Sequence, residues 1–465
     1  MWRHDALMIA IILLMAMTGC SSTHLPSLDP LPVMSMPTGT TGHTASQHGF
    51  VQASAQQTAS DDGPSQGDPF ANSATLQPDR LVQLVDERNR TLEQMRATAV
   101  AASTRLAQVI SLDDPNLSVS TAPGSIWSNN VDYAARVELT QKLPFFGKLA
   151  LRGQMAQADA QAAQHDFEDM RLQLIELAWD AFADYYMVER ALNLNEENLK
   201  RTTEYKKNAE AGFRNGKVPQ QDMLLAEVER ARLQERTLNL HRARAIAQAR
   251  INTLMHLPPD HPLPPPQAVS TSLAVPDPKA LRERAIAQRP DLKALANRVE
   301  SEKTALALAV REYKPDFELM AAYDGFWQGI NGRPLEWQLG AKVNLPVRLS
   351  RREAVVAEAR ARLAARKSEL ERATDQLNLQ IQSAYAMVQE SVQLLELYQQ
   401  KLFPAAEANV KEALALYINS KVPFVTLIDA QRNLIVMRDR HNEVLADALR
   451  RKANLVRAVG GILDK

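Results

Sequence analysis

A unit of about 200 residues occurs twice in this chain, and a repeat on that scale constrains the fold more than any single motif. Leu81 to Leu92 aligns with Leu281 to Leu292 at an offset of 200 (281 minus 81), and Pro115 and Pro315 keep it. Leu143-Pro144 aligns with Leu345-Pro346 at 202. Ala211-Gly212-Phe213-Arg214-Asn215-Gly216-Lys217-Val218-Pro219 aligns with Ala415-Leu416-Tyr417-Ile418-Asn419-Ser420-Lys421-Val422-Pro423 at 204. Each half reads helix, strand, strand, long helix, turn, long helix. The expected boundaries are 78–275 for the first repeat and 276–465 for the second.

The long helices are unusual. From about Leu149 to Arg214 and from about Arg351 to Asn419 there is little punctuation apart from Pro404, read as a kink. At 1.5 Å per residue each would span on the order of 100 Å. Ala156, Ala160, Ala163, Phe167, Met170, Leu174, Leu177 and Ala181 recur at alternating spacings of four and three. Val356, Leu363, Leu370, Leu377 and Ala384 recur every seven residues, as do Ile381, Val388, Leu395 and Leu402. These are coiled-coil seams, and each stripe needs a partner helix. After Pro219 and Pro423 the chain re-enters helices that run to about Met255 and Val459, so both turns close antiparallel hairpins.

The strand segments alternate with period two. Leu335, Trp337, Leu339, Ala341, Val343 and Leu345 oppose Glu336, Gln338, Gly340, Lys342 and Asn344. Tyr133, Ala135, Val137 and Leu139 mark a second strand, Phe317, Leu319, Ala321 and Tyr323 a third, and Leu117 to Thr121 the least distinct. A half-buried soluble sheet would alternate in the same way. Length, polar loops at 123–130 and 326–334, and the N-terminus favour transmembrane strands with Trp337, Leu339, Val343 and Val137 toward lipid and Lys342 and Glu336 toward a lumen. Four strands cannot close a barrel, so subunits must share one.

Arg3 and His4 precede an apolar run from Ala6 to Met17 that ends at Gly19-Cys20. Residues 1–19 therefore read as a signal peptide and Cys20, the only cysteine, as the lipidated (palmitate-bearing) first residue of the mature chain. Residues 20–77, rich in Ser, Thr, Gly, Pro and Gln, read as a flexible tether. Its Met34, Met36, His43 and His48 lack a spacing that would select a metal geometry, and no metal site or cofactor is assigned. Lys plus Arg total 54 and Asp plus Glu total 54, so no net field draws the chain to nucleic acid.

This pattern resembles the TolC-like outer-membrane efflux proteins over nearly all of the chain after residue 78. The resemblance rests on the duplicated unit, the two Lys-Val-Pro tips, Gln141-Lys142-Leu143-Pro144-Phe145-Phe146-Gly147-Lys148, and Phe424-Val425-Thr426-Leu427-Ile428-Asp429-Ala430-Gln431-Arg432. The Pro-Phe-Phe-Gly-Lys element is most similar to the heavy-metal branch, which serves cobalt-zinc-cadmium or copper-silver pumps. The resemblance implies a homotrimer in the outer membrane: a mainly α protein with a shared twelve-stranded transmembrane β-barrel, continued by a long periplasmic α-helical coiled-coil barrel. It also implies a periplasmic adaptor and an inner-membrane efflux transporter as partners. By the same resemblance, Asp429 stands at the periplasmic constriction, with Thr426 in place of a first aspartate. Asp222 matches an acidic tip residue that helps hold the closed state, with Lys421 as a candidate partner. Val218, Pro219, Val422 and Pro423 would meet the adaptor. The alternative for Asp429 is an ordinary contact with Arg432 on its own helix.

Catalysis finds little support: the nine histidines are scattered and no His-Glu-x-x-His is present. No Gly-rich phosphate loop appears either, so transport must be powered elsewhere. Competing functions are a duct for drug export or type I protein secretion, and a periplasmic adaptor lipoprotein. An adaptor would carry one hairpin among many short strands, whereas two hairpins and four strands are expected here.

Overall fold

The computed structural model describes residues 69–70, 73–121, 135–269, 277–325, 337–419 and 421–461. All belong to one unit, Gln66–Lys465. Cys20, the signal segment, almost all of the tether, the loops at 123–130 and 326–334, Tyr133, Leu335 and Glu336 lie outside the described residues.

Two short helices, α1 (Pro78–Arg88) and α2 (Arg90–Ile110), precede the strands β1 (Asn116–Thr121) and β2 (Ala135–Leu143). The long helix α3 (Lys148–Arg214) and the returning α4 (Gln220–Leu254) follow. The same order then recurs with α5 (Pro278–Gln288), α6 (Pro290–Arg311), β3 (Asp316–Gly325), β4 (Trp337–Asn344), α7 (Leu349–Leu397), α8 (Phe403–Ile418) and α9 (Phe424–Val459). The single helix expected before the strands breaks at Asn89, whose extended backbone frees its side chain to accept from the amides of Thr91 and Leu92. Arg289 makes the same extended break 200 residues later, with Pro290 opening the next helix.

Helix α3 has 67 residues, about 100 Å at the α-helical rise. It begins at Gly147, whose φ of 84° falls in the left-handed region. Lys148 follows at 1% exposure, its Nζ donating to Asp316 Oδ1 at 2.9 Å and to the Lys314 carbonyl at 3.1 Å. The Phe145 amide donates to the same Asp316 oxygen at 2.8 Å. The Pro-Phe-Phe-Gly-Lys stretch therefore ties the β2–α3 corner to the start of β3.

Small side chains let the helices approach closely. A Cβ on Gly153 would lie 2.7 Å from Ile110 of α2, and Ala178, Ala181 and Ala183 are fully buried. The expected seam of α3 holds at Ala156, Leu174 and Ala181 but fails at Leu177, which is 40% exposed while Ala178 is buried. The deviation is local, since Leu174 and Ala181 on either side stay buried. In α7 the seven-residue spacing is kept: Leu377, Ile381, Ala384, Val388 and Leu395 are all buried. The break expected at Pro404 is a π-turn over Tyr398–Leu402, in which the Phe403 amide donates to the Tyr398 carbonyl. Pro404 supplies no N–H to the carbonyl four residues back, and widening the preceding turn relieves its ring.

The largest core joins Leu81, Leu84 and Val85 of α1 to Phe182, Tyr185 and Tyr186 of α3, Ile251 of α4, and Val444, Leu445 and Leu449 of α9. A second core sits near the turns, with Tyr205, Ala226, Val410, Phe424, Leu427 and Leu434.

The strands form one antiparallel sheet in the order β1-β2-β3-β4. Its register pairs Leu117 with Leu139, Leu139 with Ala321, and Ala321 with Leu339. These residues lie on one face with Val119, Val137, Leu319, Trp337 and Val343, and Leu339 is 85% exposed. That apolar face is bare in the single chain.

Truncating Phe182, fully buried between Trp179 and Tyr186, should destabilise the chain by about 3–5 kcal/mol in Phe182→Ala. Leu238→Ala, at a residue 72% exposed, should stay within about 0.5 kcal/mol. Urea unfolding followed by circular dichroism compares the two.

Candidate functional site

Both hairpin turns are built by the same hydrogen bonds. Asn215 N–H donates to Ala211 and Lys217 N–H to Gly212; Asn419 N–H donates to Ala415 and Lys421 N–H to Leu416. Past each proline, the amides of Asp222 and Thr426 donate to the carbonyls of Pro219 and Pro423, both at 3.1 Å. A Cβ on Gly212 would meet Val218 at 2.9 Å, so the glycine leaves room for the valine to fold back. Val218 and Val422 are half-buried, while Pro219 and Pro423 are exposed at the turns.

The candidate gate residues separate into two groups. Asp222 is 8% exposed and accepts from the Tyr417 hydroxyl at 3.5 Å, a contact that joins the two hairpins across 195 positions. Within the single chain Lys421, the candidate partner of Asp222, is exposed, and the carboxylate faces the phenol instead. A buried aspartate on the inner side of the turn is reached by a flat aromatic side chain, whereas a lysine there would have to be desolvated. Burial raises the Asp222 carboxyl above its ordinary value, partly offset by the Tyr417 bond. Tyr417 is pushed up to about 12 by burial and by the nearby carboxylate.

Asp429 and Thr426 are exposed on α9. Within the single chain Asp429 accepts from Arg432 at 3.2 Å, the neighbouring-turn contact weighed as the alternative. Arg432 also donates to Glu229 of α4, whose carboxyl is held low chiefly by that guanidinium. Seven residues further along both helices Arg236 donates to Asp439 at 2.6 Å. Next to the first rung, one residue before Arg432, lies a buried amide pair, Gln431 donating to Asn198 of α3 at 3.3 Å. Tyr417, Glu229, Arg236 and Asp439 were not singled out from the sequence. The seven-residue spacing of Glu229 and Arg236 against Arg432 and Asp439 is the signal that would have found the rungs.

The sheet carries the second functional surface. Opposite its apolar face, Arg136, Glu138, Lys142, Glu318, Asp324, Gln338 and Lys342 share the polar face. Lys342 was expected on this face and Trp337, Leu339, Val343 and Val137 on the other; the register places them so. Among the described residues no group of His, Cys, Asp and Glu is arranged to hold a metal ion, and no helix is long and apolar enough to cross a membrane.

Residues 81–255 match the model of the family described as outer membrane efflux protein. In structure the chain is similar to the outer-membrane channel OprN (TM-score 0.70, 19% identity, covering 83% of this chain and 90% of that one). It is similar to CusC (0.71, 16%, covering 83% and 92%) and to the outer membrane protein VceC of Vibrio cholerae (0.71, 16%, covering 83% and 96%). No curated protein matches by sequence. The family match lies within the first expected repeat, and the structural likeness shows the fold over 83% of the chain. The matched family is one of efflux proteins, and OprN and CusC are channels, not enzymes.

Replacing Asp222 tests the contact between the hairpins. A raised carboxyl value means that the protonated form is favoured in the fold. The stabilising contribution is complete below the ordinary value of 3.8 and is lost as pH rises through the raised one. Hydrogen exchange of the turn amides, referenced to unfolded-chain rates, should show protection falling over that window in wild type and staying level in Asp222→Asn. Tyr417→Phe should cost about 0.5–1.5 kcal/mol. Parallel pH profiles for wild type and Asp222→Asn would contradict this account.

Proposed function

We propose that this chain is the outer-membrane channel of a tripartite efflux pump, an exit duct in which three copies close one barrel of twelve strands, three times four. One observation carries this reading: a four-stranded sheet bares its apolar face, leaves β1 and β4 as outer strands, and joins helices of 67 and 49 residues. A bare apolar face needs a nonpolar surrounding, and unpaired strand edges need further strands. Closure by copies around a three-fold axis supplies those strands, turning the polar face to an aqueous lumen and the apolar face to lipid. The recurring element order supports two structural repeats, 78–275 and 276–465, as the source of each subunit's two strand pairs and two hairpins.

The hairpin turns form the periplasmic entrance. Three-fold assembly would gather three copies of Asp429 into a carboxylate ring, which favours cations in a narrow opening. Asp222 and Tyr417, with the rungs above them, hold the two hairpins of one subunit together; Thr426 and Lys421 flank them as exposed groups. Val218, Pro219, Val422 and Pro423 meet a periplasmic adaptor, and an inner-membrane transporter supplies the energy. Crosslinking from cysteines at Asn215 and Asn419 should capture that adaptor, and capture only from sites beside the sheet would contradict the assignment. Cys20 carries the lipid anchor in the outer membrane, which the intact mass of the mature chain decides.

A heavy-metal cargo rests on the Pro-Phe-Phe-Gly-Lys motif, because the likeness to CusC equals that to VceC. Drug export or protein secretion through the same duct is the second reading. The adaptor alternative has lost its support, since two long hairpins and a single small sheet are the opposite of what it requires.

Purified protein in planar bilayers should give discrete conductance steps, and Asp429→Ala should reduce cation preference and divalent block. Absence of steps would contradict the duct. Steps with unchanged selectivity would return Asp429 to the role of a surface partner of Arg432.

A further inference from the structure

The polar face of the sheet carries more charge than a water-filled wall needs, and its charges are arranged in alternating sign. Lys342 Nζ lies 3.3 Å from Glu318 Oε1 and 3.9 Å from Glu138 Oε1. On the far side of Glu138, Arg136 Nε lies 3.4 Å from its other oxygen and 3.7 Å from Asp324 Oδ1. Gln338 closes this end, accepting from Arg136 at 3.2 Å and donating to Asp324 at 2.8 Å. Asp324, Arg136, Glu138, Lys342 and Glu318 thus form one chain of contacts across β2, β3 and β4. Lys142 stands opposite Glu318 in the β2–β3 register. Among the described residues of this face the cations are Arg136, Lys142 and Lys342 and the anions Glu138, Glu318 and Asp324, with Asp316 at the end of β3 held by Lys148.

We propose that Lys342 and Arg136 act as charge-compensating residues of the duct, making the barrel section indifferent to the sign of a passing ion and leaving charge selection to the helical entrance. The proposal rests on the duct reading above. Uncompensated carboxylates on a lumen wall raise the local concentration of cations and lower that of anions, and the effect is strong where low-dielectric walls confine the field. Three subunits carrying Glu138, Glu318 and Asp324 without their cations would present nine such groups, three times three. The observed contacts cancel each of them at short range. A duct built this way passes anionic, cationic and neutral cargo past the barrel alike, and a single substitution on the wall converts it into a selective one.

Cross-strand ion pairs also steady a sheet, so the test must read charge in the lumen rather than stability. The full-length chain is reconstituted in planar bilayers under a potassium chloride gradient whose dilute side is about 0.1 M, where screening reaches only about 10 Å. The reversal potential is then compared among wild type, Lys342→Gln, Glu318→Gln and the double variant. Lys342→Gln should shift it toward the potassium equilibrium potential and Glu318→Gln toward that of chloride, and the double variant should return to the wild-type value. Lys142→Gln, exposed on the same face and without a bond to lose, should shift it in the same direction as Lys342→Gln even if the latter fails to assemble. Conductance steps with an unmoved reversal potential in the single variants would overturn the compensation while leaving the duct intact. The absence of steps in wild type would overturn both.

Discussion

A strand edge that is not hydrogen-bonded and an apolar face that is not covered cannot both persist in water, and the sheet of this chain has both. Among the described residues strands β1 and β4 each offer one unpaired side, and Leu339, Trp337, Val119 and Leu117 stand exposed. Everything else in the architecture is arranged around that sheet. The buried Lys148 ties one strand-to-helix corner to Asp316, so the helices leave the sheet at a fixed angle. The long helices then need partners along their whole length, which the hairpins, the short helices α1 and α2, and their counterparts α5 and α6 provide.

Packing along the helices changes character from one end to the other. Around Phe182 and Tyr185 the core is aromatic and fully buried. Near the turns, a smaller apolar core around Ala226, Phe424 and Leu427 is joined by polar contacts between α4 and the α8–α9 hairpin: Asp222 with Tyr417, Glu229 with Arg432, Arg236 with Asp439. Half-exposed ion pairs contribute little stability and are screened by salt.

Much of this was legible in the sequence, for identifiable reasons. Period-two alternation placed Trp337, Leu339 and Val343 on one face because a strand has no other way to arrange them. The repeat located both turns, and their hydrogen bonds match position for position. The misses are equally physical. Leu177 was assigned to the seam from spacing alone, whereas packing buries the small Ala178 beside it. Pro404 was read as a kink, and the form the irregularity takes, a π-turn over Tyr398–Leu402, was not legible. The partner of Asp222 could not be read from spacing at all, since Tyr417 is brought to it by the packing of one hairpin on the other. The burial of Lys148 was hidden for the same reason: its oxygens come from the start of β3, more than 160 positions away.

The central claim is that the sheet is completed by other copies of the same chain. Electron microscopy of the purified protein in detergent tests it directly. The account predicts a three-fold symmetric particle with a cylindrical helical section on the order of 100 Å long. Isolated monomers, or assemblies with any other symmetry, would contradict it.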